Sequence, residues 1–100
     1  MYAQRILTEI FSLPKLLGMK KLEDYIIQKV KQMRIDNNLS QQELADYINV
    51  SQSFIRDCEH PKRRAKYNIN HLNELAKVFK CSFSDFFPDR PFENNSNISQ

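Results

Sequence analysis

From Leu22 onward, apolar residues recur at three- to four-residue spacing: Leu22, Ile26, Val30 and Met33, with Ile27 beside them. That period lines one stripe of an α-helix, predicted to run through about Ile35. Asn37 and Asn38 end it, because asparagine tolerates the left-handed conformation at a helix C-terminus. Leu39 follows as an apolar anchor. Ser40 and Glu43 stand at capping-box spacing and open a second helix to about Ile48, with Leu44, Ala45 and Ile48 inward. Asn49 and Val50 leave room only for a tight turn. Ser51 caps a third helix, from Gln52 to about Glu59, whose inner face is Ile55 and Cys58. Residues 60–67 read as a loop. Asn68 or Asn70 then caps a fourth helix with Leu72, Leu75, Ala76 and Phe79 inward. Ser82 and Asp85 mark one further capped turn through Phe87, stopped by Pro88. Tyr25, Phe79, Phe83, Phe86 and Phe87 are expected in the core.

The two ends depart from this pattern. In residues 1–19, Ile6, Leu7, Ile10, Phe11, Leu16 and Leu17 fall at roughly helical spacing, and Pro14 breaks or kinks any helix there. Arg5 and Glu9 interrupt the stretch and no small-residue cleavage site follows, so it does not read as a signal peptide. Three readings of this N-terminal apolar extension stay open. It docks on the domain or frays, it forms a dimerisation or partner-binding helix, or it precedes a natural start at Met19. Residues 20–87 form the folded domain. Residues 88–100 are polar and expected to be a disordered tail.

Composition supports one all-α domain. The chain has 100 residues, 41% of them hydrophobic, with one glycine and four prolines, so hairpin chemistry is scarce. The net charge of +3 is mild, but its distribution is uneven. Residues 51–67 carry Arg56, Lys62, Arg63, Arg64 and Lys66 against Asp57 and Glu59, whereas residues 23–50 carry five acids against three bases. No run approaches the roughly 20 apolar residues that span a bilayer. Cys58 and Cys81 read as reduced thiols of a cytoplasmic protein. With His60 and His71 they match no zinc spacing, so no metal is expected. No nucleophile–base set or glycine-rich phosphate loop appears, so neither enzyme activity nor a cofactor is expected.

Two short helices joined by a tight turn make a helix-turn-helix. Ala45 supplies the small residue where the pair must touch, against Ile55, and Val50 plugs the turn. Gln52, Ser53 and Arg56 lie at i, i+1 and i+4, so they share the outward face. A projecting helix about 12 Å across fits the major groove of B-DNA.

Residues 39–55 (LSQQELADYINVSQSFI) and 75–86 (LAKVFKCSFSDF) resemble the lambda-repressor-like, Cro-type (XRE-type) helix-turn-helix family, and the likeness spans roughly residues 24–87. The resemblance implies a five-helix domain, to which the N-terminal apolar segment is an extra. It implies base reading by Gln52, the adenine-pairing glutamine, with Ser53 and Arg56 beside it. Asp57 or Glu59 is an alternative partner for Arg56. Gln41 corresponds to a glutamine that binds a phosphate and braces the base reader. Ser51 is assigned to the DNA backbone, and so, on their charge and not by the resemblance, are the loop cations Lys62, Arg63, Arg64 and Lys66. Phe54 stands where many members carry a small or polar residue, and either meets a thymine methyl or packs against the loop. The turn glycine common in the family is Asn49 here. The glycine that usually follows the recognition helix is Pro61, and the next loop is two or three residues longer than usual. The implied function is a sequence-specific repressor binding double-stranded DNA as a homodimer. The alternative is an antitoxin-like protein of the same fold, with the N-terminal segment meeting a protein partner.

Overall fold

A computed structural model describes residues 21–91. The expectations for residues 1–19, and for the tail from residue 92, lie outside the described residues. Within them the chain forms α1 (Leu22–Asp36), α2 (Gln41–Ile48), α3 (Gln52–Glu59), α4 (Ile69–Phe79) and a single 3₁₀ turn, Phe83–Phe86. The described residues are thus all-helical, with four α-helices and no strand. The segment expected as a fifth helix is the 3₁₀ turn. None of these helices is long and apolar enough to cross a membrane.

The core is drawn from every element: Val30 of α1, Leu44, Ala45 and Ile48 of α2, Ile55 of α3, Leu72 and Leu75 of α4, and Phe86. Ala45 and Ile55 are both fully buried. A methyl at position 45 lets α2 and α3 approach closely enough for the larger Ile55 to fill the gap between them. Two residues expected in the core lie outside it, Leu22 at 38% and Phe83 at 53% exposure. Leu22 is the first residue of α1, at the very end of the helix. A 3₁₀ turn stacks residues three apart but separates them by about 6 Å along its axis. Phe86 therefore reaches the centre while Phe83 stays at the rim.

Three helices end in the same way. α1, α2 and α4 are each followed by a residue with positive φ: Asn38 (57°), Asn49 (61°) and Lys80 (54°). Beyond each, a backbone N–H closes back onto the helix: Leu39 to the Arg34 carbonyl (3.0 Å), Val50 to Ala45 (3.0 Å) and Cys81 to Ala76 (3.1 Å). The residue that donates is apolar each time and packs against the core. This is the Schellman arrangement with its hydrophobic contact, and it turns the chain sharply without glycine.

The N-termini of α2, α3 and α4 are capped by side chains, whereas α1 begins after Lys21 with no side-chain cap. Ser40 Oγ accepts from the Glu43 N–H (3.0 Å) while the Ser40 N–H donates to Glu43 Oε1 (2.8 Å). Ser51 Oγ accepts from the Phe54 N–H at 3.0 Å. Of the two asparagines expected before α4, Asn68 is the cap.

At Asn49 the left-handed geometry makes a direct prediction. Asn49→Gly should leave stability within about 0.5 kcal/mol, whereas Asn49→Val should cost about 1–2 kcal/mol. Urea midpoints at unchanged slope check both, and equal midpoints for the two variants would mean that the turn does not demand this conformation.

Candidate nucleic-acid interface

α3 has only eight residues, and both of its faces are used. Ile55, Cys58 and Glu59 point inward and are buried, while Gln52, Ser53 and Arg56 are exposed along the other side. The N-cap at Ser51 fixes where the helix begins, so Gln52 and Ser53 stand at its exposed N-terminal end. Arg56 Nη2 donates to Ser53 Oγ at 3.2 Å, joining two of the expected base readers. Their outward face is therefore a small polar surface with carboxamide, hydroxyl and guanidinium groups, the types that pair with base edges.

Glu59 does not pair with Arg56. It faces the opposite way, its side chain 3% exposed, and takes both arms of Arg34 from α1: Nε to Oε2 and Nη2 to Oε1, each at 2.9 Å. Arg34 Nη1 also donates to the Leu39 carbonyl at 2.8 Å. Gln41, first in α2, donates from Nε2 to Glu59 Oε1 at 3.0 Å. The Gln41 amide donor is thus engaged at the far end of α3 from Gln52. A single carboxylate ties α1, α2 and the α1–α2 turn to the C-terminal end of the helix that carries the polar surface. Sequence reasoning missed Arg34, because a partner 25 residues away on another helix leaves no local spacing to detect.

Residues 60–67 leave α3 through His60, whose Nδ1 accepts the Lys62 N–H at 3.1 Å. Lys62, Arg63 and Arg64 are exposed and carry no ion pair among the described residues. Lys66 is turned the other way, with Nζ 3.4 Å from Asp24 of α1. The loop therefore offers three free cations beside α3 and uses the fourth as an anchor. Phe54 is half-buried and packs on the loop and α4. Its ring centroid lies 5.9 Å from that of Tyr67 and 4.8 Å from that of His71.

Burial pushes the Cys58 thiol up to about 12, with Glu59 adding to the effect. Burial also raises the Tyr67 phenol far above its ordinary value, helped by Cys58 and Glu59 and opposed by Arg34. Cys81 is raised as well, mainly by burial. At neutral pH these groups stay protonated and act as packing. No cluster of three or more His, Cys, Asp or Glu side chains suited to a metal ion occurs among the described residues.

A family model described as a Cro/C1-type HTH DNA-binding domain matches residues 29–91. No curated protein matches the sequence.

Two predictions follow from the inward face of α3. Arg34→Met should cost about 3–5 kcal/mol because it leaves the buried Glu59 carboxylate unpaired, and adding Glu59→Met should restore part of that loss. Chemical denaturation of the single and double variants measures this; additive losses would mean that the pair is not coupled. The second concerns alkaline pH. The unfolded Cys58 thiol ionises near 9.0, whereas the folded one holds its proton to about 12. Its contribution is therefore complete below pH 9 and is lost as pH rises toward 12. Urea unfolding across that window should show a steeper loss for the native chain than for Cys58→Ala.

Proposed function

Because the chain belongs to the Cro/C1-type helix-turn-helix DNA-binding family, matched over residues 29–91, we propose that it is a sequence-specific transcriptional repressor. It reads the major groove with α3, starting at Gln52. The observation that carries this reading is the exposed polar face of Gln52, Ser53 and Arg56 on a helix whose other face is buried and braced. A base-reading helix needs that combination: adjustable polar groups outward and a fixed axis beneath them.

Gln52 is assigned to an adenine edge, to which a carboxamide bonds bidentately, while Ser53 and Arg56 take neighbouring positions. Lys62, Arg63 and Arg64 contact phosphates, supplying affinity without sequence information. Gln41 and Ser51, at the first turns of α2 and α3, add backbone contacts where helix N-termini favour an anion. Lys66 contributes to the phosphate field only as far as its pairing with Asp24 allows. One such module makes few base contacts, so the working form is a cytoplasmic homodimer on a palindrome. Its half-sites lie about 10–10.5 bp apart.

Selection from a randomised duplex pool at about 0.15 M salt, where non-specific phosphate binding is weak, tests this reading. A palindromic motif with A·T pairs at fixed half-site positions is the expected outcome. A folded chain that enriches nothing would sink it and favour a protein partner, for which deletion of residues 1–18 is the next probe. On the selected site, Gln52→Ala should cost about 1–3 kcal/mol and relax preference at one base pair. Lys62→Ala should weaken all duplexes alike and reduce the salt slope by about one.

A further inference from the structure

Three rings meet where α3, the cationic loop and α4 converge. Phe54 comes from α3, Tyr67 from the end of the loop and His71 from the first turn of α4. All three pairs are in contact: Phe54–His71 at 4.8 Å, Phe54–Tyr67 at 5.9 Å and Tyr67–His71 at 6.1 Å, the last two nearly perpendicular. Edge-to-face pairs at such separations are attractive beyond their buried area. The cluster is also tied to the backbone. The Asn68 N–H donates to His71 Nδ1 (3.0 Å), and the His71 N–H donates to Asn68 Oδ1 (2.8 Å). Tyr67 is drawn in so far that its hydroxyl is buried with no hydrogen-bond partner among the described residues.

This arrangement bears on a specific problem. Residues 60–67 carry the free cations, and the chain there has no regular structure of its own. An unanchored loop would place its charges anywhere relative to α3. We propose that Phe54 is a positioning residue. Locked against Tyr67 and His71, it seats the loop on α3, so that phosphate contacts by Lys62, Arg63 and Arg64 and base contacts by Gln52 and Ser53 fall in one register. The coupling to DNA rests on the function proposed above; the seating of the loop does not.

The test uses the full chain and two readouts. In the free protein, trypsin cleavage after Lys62, Arg63 and Arg64 is followed relative to cleavage after Lys77 in α4, which gauges global opening. Phe54→Ala and Tyr67→Ala should each raise that ratio about tenfold. Tyr67→Phe keeps the ring and should leave the ratio unchanged. A constant ratio, or cleavage rising equally at Lys77, would overturn the seating, since the rings would then only support the core. With duplex DNA, Phe54→Ala should flatten the salt dependence by about two to three phosphate contacts and preserve the order of preferred bases. An unchanged slope with altered preference at one base pair would make Phe54 a base reader instead. If the native chain prefers no duplex, the regulator reading fails, and the cleavage ratio still decides whether the loop is seated by these rings.

Discussion

The carboxylate of Glu59 is the constraint on which the rest of the arrangement depends. It accepts from Arg34 Nε, Arg34 Nη2 and Gln41 Nε2, so groups from α1 and α2 converge on the last turn of α3. Apolar packing of Ile55 against Ala45 sets how closely α2 and α3 approach, but it is non-directional and tolerates sliding. A planar guanidinium gripping a planar carboxylate does not tolerate sliding, because both arms must align at once. Arg34 also holds the Leu39 carbonyl, so the same guanidinium fixes the turn leading into α2. Each partner is drawn from a different segment, and α3 has no freedom to rotate without breaking several bonds together.

That rigidity lets an eight-residue helix present an exposed polar face. Helices this short are marginal alone in water, and α3 persists because one side is buried and both ends are fixed. Ser51 caps its start, while Glu59 and the His60 N–H bond to the Asp57 carbonyl secure its end. Its outward residues therefore need contribute nothing to stability. Gln52, Ser53 and Arg56 can be chosen entirely for what they touch outside the molecule.

How far this was legible in the sequence depended on the range of the interaction. The Ser40–Glu43 box and the Ser51 cap are written within a few residues of one another, and spacing alone located them; it also placed a tight turn at Asn49 and Val50. The inward faces of α2 and α3 were also legible, because helical periodicity fixes which residues share a side. The Arg34–Glu59 pair spans 25 residues and the Lys66–Asp24 pair spans 42. Both depend on how helices cross, and local spacing carries no record of that. Leu22 and Phe83 failed for a related reason: periodicity assigns a face but not whether a neighbour extends far enough to cover it. The sequence left Phe54 between a groove contact and a loop contact, and its packing on Tyr67 and His71 is a tertiary fact.

The irregular stretch over residues 60–67 explains why such packing belongs here. Closing such a connection costs little entropy, but without anchors it leaves a wide range of positions open to Lys62, Arg63 and Arg64. Charges that wander can still attract a polyanion at a distance, yet they cannot fix a register, which requires donors held at defined positions. Pro61 stiffens the loop's beginning by restricting its backbone, and the His60 ring accepts the Lys62 N–H just beyond it. At the other end, Lys66 is drawn to α1 by Asp24, and Tyr67 is clamped between α3 and α4. The exposed cations thus sit on a short span fastened on both sides. A basic loop that follows a helix with an exposed polar face needs such fastenings if its charges are to hold fixed positions beside that face.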